Sequence, residues 1–146
     1  MPSESLLDLK RGINMEKKVK VIKDTPRVEE QVRSDDVISL MEKEWPEMTK
    51  EFKKLQREQY ELFLHKQHDY GPGNISVGTQ LKTKEEINLS LTGLWFRMND
   101  KLQRVKTLLM TGRKSAVKDE PLEDAYLDVS NYGIMATIVA RGKWGK

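Results

Sequence analysis

The stretch TKEEINLSLTGLWFRMNDKLQRVKTLLMTG, residues 83–112, carries the clearest helical pattern in the chain. Thr83 and Glu86 have the spacing of a capping box, in which each side chain binds the other residue's amide at a helix start. Gly112 stands where a glycine often ends a helix in a left-handed conformation. We therefore predict one long helix between Thr83 and Gly112.

Apolar residues recur along this helix at steps of four and three, the spacing of a face that packs against a neighbouring helix. The face consists of Ile87, Leu91, Leu94, Met98, Leu102, Val105 and Leu109. We expect Leu94, Met98 and Leu102 to be almost fully buried, and an exposed Leu102 would contradict a helical bundle. On this expectation, Leu102→Ala lowers the free energy of unfolding by about 2–5 kcal/mol, as core truncations do.

Three more helices are predicted on either side of this segment. A shorter leading helix begins at Ser34, where two acidic residues follow and favour the positive end of the helix dipole. A longer amphipathic helix covers about 47–69, and the last one runs from Pro121 to about Ala140. Three glycines and a proline between 70 and 78 predict a loop without regular structure. The fold class is all-α, a bundle of three long helices plus the shorter leading helix.

Composition narrows the class of protein further. The 146 residues suit one domain, with a charged, weakly structured arm at 1–33 and a helical domain at 34–146. No cysteine is present, which excludes disulfides, thiolate metal sites and cysteine nucleophiles. The net charge of +3 comes from interspersed acids and bases, a pattern that speaks against nucleic acid as the main partner. No signal peptide or membrane span is recognisable, so we expect a cytoplasmic protein with no membrane partner.

Acidic residues line one side of two predicted helices. Glu58 and Glu61 lie three residues apart on the second helix, and Glu120, Asp124, Asp128 and Asn131 step by four, four and three along the last. Acids in a first helical turn offset the dipole, which accounts for Glu120 and Asp124. Asp128 lies too deep in its helix for that explanation. A carboxylate near a packed face needs a metal ion or a basic partner.

Basic residues that suit this role lie on the central helix. Arg97, Lys101 and Arg104 step by four and three along one edge. Two interpretations remain open: ion pairs between helices, or a phosphate site in which carboxylates hold Mg²⁺ and the bases bind phosphate oxygens. His65 and His68 share a helix face, and histidines in such positions are more often surface residues than ligands.

Three short motifs resemble a known family. These motifs are Lys66-Gln67-His68-Asp69-Tyr70-Gly71, Lys101-Leu102-Gln103-Arg104, and Glu123-Asp124 followed by Asp128, Asn131 and Tyr132. Together they are similar to the first type of nucleotide-modification-associated domain, which is found largely in bacteriophages. The chain also resembles, more distantly, the all-α nucleoside-triphosphate pyrophosphatases of the MazG and dimeric dUTPase group. The resemblance covers about residues 50–146.

The resemblance implies roles for particular residues. Glu58-Gln59-Tyr60-Glu61 matches the first metal-binding motif of the pyrophosphatases. The second motif departs from that group's Glu-x-x-Asp, and Asp124 and Asp128 take its place. We expect Glu58, Glu61, Asp124 and Asp128 to be catalytic and to hold Mg²⁺. Phosphate binding is expected from Lys66, Arg97, Lys101 and Arg104, and nucleotide binding from Asp69, Tyr70, Asn74 and Asn131.

Two functions follow as hypotheses. One is an Mg²⁺-dependent pyrophosphohydrolase that cleaves a (deoxy)nucleoside triphosphate in phage nucleotide metabolism or DNA modification. The alternative is a helical module that binds a nucleotide or a protein without hydrolysis. The resemblance also implies a homo-oligomer in the cytoplasm of an infected cell and a deoxynucleotide as the partner molecule.

Overall fold

The computed structural model describes residues 33–146, so the predicted arm at 1–33 lies outside the described residues except for Arg33. Within this range the chain forms α1 (Ser34–Glu44), α2 (Pro46–Tyr70), α3 (Gly73–Ser76), α4 (Lys84–Thr111) and α5 (Leu122–Ala140), with no strand. The all-α fold class is confirmed. None of the described helices has the length and apolar character that crossing a membrane requires.

The ends of α4 follow the local sequence signals. The Thr83 hydroxyl accepts a hydrogen bond from the Glu86 amide at 3.2 Å. The Glu86 carboxylate, however, accepts from the amide of Lys82 at 2.7 Å rather than from that of Thr83. Gly112 ends the helix with φ 65° in the left-handed region, where a side chain is unfavourable. The predicted start and end of this helix are confirmed.

The core lies where α4 packs along α5. Leu94 of α4 and Met135 and Val139 of α5 are buried together, and Ile75 of α3 and Trp144 near the C-terminus complete the cluster. Val139 and Leu94 are 0% and 1% exposed. These apolar contacts hold α3, α4 and the C-terminal residues against one another.

The burial predicted for Leu94 is confirmed, whereas the predictions of almost complete burial for Met98 and Leu102 were wrong. Leu102 is 51% exposed and Leu109 is 63% exposed, whereas Leu94 is buried and Met98 half-buried. The apolar pattern predicts Leu102 on the face of α4 that packs against α5, but Lys101 lies on that face instead. Its ammonium group pairs there with the carboxylates of Glu120 and Asp128. The expected cost of about 2–5 kcal/mol for Leu102→Ala therefore no longer applies, because that range holds for buried residues. An exposed Leu102 does not overturn the helical fold, since Leu94 and Val105 of α4 are buried.

The predicted loop at 70–78 contains a short helix, which is a second correction. α3 begins at Gly73, whereas Gly71 and Gly78, with φ of 65° and 73°, lie outside it. Pro72 precedes it with a helical backbone (φ −75°, ψ −15°). The buried Ser90 hydroxyl donates to the Ile75 carbonyl at 2.6 Å and fixes α3 on α4.

Trp144 anchors the C-terminal residues, a contact that the sequence pattern does not reveal. Its indole Nε1 donates to the Pro72 carbonyl at 2.9 Å, and its ring meets Phe63 edge-on with centroids 6.1 Å apart. Trp144 is 8% exposed. It therefore ties the connection between α2 and α3 to the end of the chain.

Candidate functional site

A cavity of about 270 Å³ lies between α2, α3, α4 and α5. Its wall combines two cations, one carboxylate, three amides and two phenols with three apolar side chains. The lining residues are Phe63, Lys66, Gln67, Tyr70, Asn74, Ile75, Arg97, Asp128, Asn131, Tyr132 and Met135. Small-molecule sites are concave and use a few convergent polar groups to orient the ligand. This cavity is slightly smaller than their usual range of about 300–1,000 Å³, and most of its lining residues are polar or charged.

The structure brings six of the predicted site residues together in this cavity. They are Lys66, Tyr70, Asn74, Arg97, Asp128 and Asn131. Gln67 and Tyr132 also line the wall, although no role was predicted for them. The available signal for Gln67 was its helical spacing from Tyr70, which places both on neighbouring turns of α2.

Asp128 is the junction between three helices. Its carboxylate lies 2.8 Å from the Lys101 ammonium on α4 and 3.7 Å from the Lys66 ammonium on α2. The Asp128 and Lys101 side chains are 21% and 26% exposed. Lys101 also lies 3.2 Å from Glu120. The basic partner that a deep carboxylate requires is therefore present.

These contacts raise the pKa of Lys101 above its ordinary value of 10.5. The largest cause of this increase is the hydrogen bond to Asp128. Burial of the ammonium group lowers the pKa in part, and the contact with Glu120 raises it further. Both carboxylates stabilise the charged ammonium relative to the neutral amine.

We expect this pair to give the fold a measurable alkaline pH dependence. Because the pKa of Lys101 is higher in the folded than in the unfolded chain, its stabilising effect is complete below 10.5 and is lost as the pH rises through the folded pKa. Urea unfolding between pH 9 and pH 12 should therefore show a steeper loss of stability in the wild type than in Lys101→Met. Parallel curves for the two proteins would contradict the assignment.

Arg97 and Arg104 have different surroundings. One guanidinium nitrogen of Arg97 donates to the Asn74 carbonyl at 3.2 Å, at the cavity wall. Arg104 instead donates to the carbonyls of Glu120 and Pro121 and to the Ser115 hydroxyl. Arg104 thus holds the connection before α5 and lies outside the cavity lining, in contrast to its predicted phosphate role.

The Asn74 side chain is incompletely satisfied. Its Oδ1 is buried without a hydrogen-bond partner in the described part of the chain. A buried acceptor without a donor costs free energy. This unsatisfied acceptor belongs to a residue of the cavity wall.

The four carboxylates predicted to hold Mg²⁺ do not converge. Glu58 pairs with Lys54 at 3.8 Å and Glu61 with Arg57 at 3.2 Å, and both acids are more than half exposed. The Asp128 oxygens face lysines. Among residues 33–146, no group of three or more histidines and acids could hold a metal ion. The carboxylates in the described part of one chain therefore do not form a Mg²⁺ site.

The other predicted residues lie at the margins. Asp69 hydrogen-bonds to His68 at 3.0 Å, is 76% exposed and does not line the cavity. Asp124 is half-buried near the start of α5 and likewise does not line it. His65 is exposed on α2, as a surface histidine should be.

A family model described as nucleotide modification associated domain 1 matches residues 66–139. This range contains every lining residue of the cavity except Phe63, and it includes Lys101 but neither Glu58 nor Glu61. No curated protein and no solved structure matches the chain. The more distant likeness to MazG-type pyrophosphatases has no counterpart in these comparisons.

Proposed function

The chain belongs to the nucleotide modification associated domain 1 family, and from this premise we propose that it binds a nucleotide in the cavity between α2 and α5. The observation that carries the proposal is the make-up of one wall: Lys66 and Arg97 beside tyrosine rings and amides. The cations suit a phosphate, and the tyrosine rings and amides suit a base and a sugar. Residues from four helices supply all of them in one place.

We assign phosphate binding to Lys66 and Arg97. Lys66 is 46% exposed, and its ion pair with Asp128 is long at 3.7 Å and therefore weak. Turning the Lys66 side chain towards a phosphate breaks this pair at little cost in free energy. Arg97 uses one of its N–H groups on the Asn74 carbonyl and keeps the rest of its fork for anionic oxygens. Lys101 stays with Asp128 and Glu120 and acts as a counter-ion within the protein.

We assign base and sugar recognition to the tyrosines and amides. Tyr70 is 67% exposed at the cavity, where its ring can stack on a base. Asn74 and Asn131 offer hydrogen bonds to base edges or hydroxyls. The volume of about 270 Å³ suits part of a nucleotide, so the outer phosphates of a triphosphate would extend beyond the cavity.

A second candidate is hydrolysis of a (deoxy)nucleoside triphosphate to the monophosphate and pyrophosphate, the Mg²⁺-dependent reaction that the resemblance implies. Asp128 is the observation in its favour, because it places a carboxylate in the wall beside the phosphate-binding cations. Released from Lys66, it could accept a proton from an attacking water molecule. Since the described carboxylates do not fit Mg²⁺, this candidate ranks second.

Titration calorimetry with a panel of deoxynucleoside mono- and triphosphates tests the binding proposal. We expect saturable binding in EDTA, and we expect Arg97→Ala to raise the Kd about 10- to 100-fold, the loss of a charge-assisted hydrogen bond. Arg57→Ala is the matched control, because Arg57 is 82% exposed, does not line the cavity and pairs with Glu61 on its own helix. Equal affinities of the two variants, or no binding of any nucleotide by the wild type, would refute the cavity as the site.

Pyrophosphate release from the same triphosphates, with and without Mg²⁺, tests the second candidate. Turnover that Asp128→Asn abolishes while nucleotide binding persists would support hydrolysis at this cavity. Binding without any product would leave the chain as a nucleotide-binding module.

A further inference from the structure

A second cavity, of about 330 Å³, lies beside the candidate site, and we call it the C-terminal cavity. Half of its lining comes from the residues that follow α5, namely Lys143, Trp144, Gly145 and Lys146. Phe63 and Gln67 of α2 line both this cavity and the candidate site. These two residues are four apart and share one face of α2. The two cavities are therefore neighbours across that edge of the helix.

The backbone around Lys143 is fixed on both sides. Gly142 has a left-handed φ of 65°, and its amide donates to the Val139 carbonyl at 2.9 Å. The Lys143 amide donates to the Ile138 carbonyl at 3.0 Å, and the two bonds together form a Schellman motif at the end of α5. The next residue is Trp144, which is buried. The Lys143 side chain is exposed, so a fixed backbone holds a free cation at the cavity.

The charge around this cavity is one-sided. No carboxylate side chain lines it, and none of the ion pairs within residues 33–146 involves Lys143. Lys146 lies nearby, and its ammonium group donates to the Gly142 carbonyl at 2.6 Å. The two cavities together are lined by four basic side chains and one carboxylate, that of Asp128. A concave surface with such an excess of one charge attracts ligands of the opposite charge.

We propose that Lys143 binds the outer phosphates of a nucleotide whose inner phosphate lies between Lys66 and Arg97. This inference rests on the proposed function, in which the candidate site holds only part of a nucleotide. Gln67 lies directly after Lys66 and lines both cavities, so its amide can donate to a phosphate oxygen between them. Lys143 completes the path with a charge-assisted contact.

This role is a property of the present chain rather than of the family. The family model matches residues 66–139 and ends before Lys143. The expected consequence is a preference for deoxynucleoside triphosphates over monophosphates, because only the longer phosphate chain extends into the C-terminal cavity.

Arg141 supplies the matched control for Lys143. A basic residue after a helix interacts favourably with the negative end of the helix dipole, whether or not a ligand binds. Arg141 shares this location at the end of α5 and is exposed, but it lines neither cavity. Arg141→Gln and Lys143→Gln therefore remove the same charge from the same helix end, and only Lys143→Gln removes it from the C-terminal cavity.

Titration calorimetry in EDTA with the mono- and triphosphate of one deoxynucleoside tests the inference. We expect Lys143→Gln to raise the Kd of the triphosphate about 3- to 10-fold, the range for an exposed charged contact, and that of the monophosphate less than about twofold. Arg141→Gln should change both by less than about twofold. Lys143→Arg should keep the wild-type preference, because it retains the positive charge. Circular dichroism checks that each variant is folded.

The outcomes separate this inference from the proposed function. If both nucleotides bind and Arg97→Ala weakens both, but Lys143→Gln leaves the ratio of the two Kd values unchanged, the proposed site stands and the role of Lys143 is refuted. Equal effects of Arg141→Gln and Lys143→Gln on the triphosphate would also refute it, since they would indicate a general effect of net charge. Absence of binding by the wild type would overturn both proposals.

Discussion

Leu94→Ala is expected to lower the free energy of unfolding by about 2–5 kcal/mol, the range for truncating a buried leucine. Leu94 is 1% exposed and contacts the buried cluster of α3, α5 and the C-terminus. Those neighbours come from different elements, so they cannot all move in to fill the space. Urea denaturation followed by circular dichroism measures the difference.

Leu89→Ala on the same helix is the control. Leu89 is 50% exposed, so its truncation should cost less than about 1 kcal/mol. Similar losses for the two variants would mean that α4 buries a different face from the one described. A small loss for Leu94→Ala alone would contradict the assignment of the core.

Asp128→Asn is expected to lower the free energy of unfolding by about 1–3 kcal/mol. The substitution removes the charge that Lys66 and Lys101 share, and Lys101 then keeps only Glu120 as a counter-ion. Breaking one side of a buried pair costs more than breaking an exposed one, and this pair is about three-quarters buried. Thermal melts with and without Mg²⁺ measure the effect.

A metal site would behave in the opposite way. Crowded carboxylates without their cation repel each other, so Asp128→Asn would then leave the metal-free protein unchanged or more stable, and Mg²⁺ would stabilise the wild type. Asp69→Asn is the control, because the Asp69 side chain is 76% exposed and its partner is the neighbouring His68. A lower melting temperature for Asp128→Asn, together with a wild-type melting temperature that Mg²⁺ does not change, would contradict a Mg²⁺ site within the single chain.

Local signals in the sequence were sufficient for the longer helices α1, α2, α4 and α5. The Thr83 hydroxyl caps α4 and Gly112 ends it because both act through the backbone of their own neighbours. The acidic first turn after Ser34 marks the start of α1 for the same reason. The short helix α3 was missed, because its stability comes from Ile75 packing on the core and from the bond to Ser90, neither of which is local.

The candidate site was predictable in part. Arg97 and Asp128 were selectable from their spacing on helices, and Lys66 from the motif that carries the family resemblance. The structure places all three on one cavity. The sequence could not show that Glu58 and Glu61 turn to bases on their own helix instead, because residues on one α-helix face share a neighbourhood whether or not they share a site.

Only the tertiary structure decided which side of α4 is covered. The sequence determined that α4 is a helix with apolar residues on much of its circumference, but a periodic pattern does not say how far round a neighbour reaches. α5 packs against the side of α4 that carries Lys101, whose ammonium group pairs with Asp128 and Glu120. Leu102 lies away from this contact and is exposed. Periodicity is a property of one segment, whereas burial depends on the segment that packs against it.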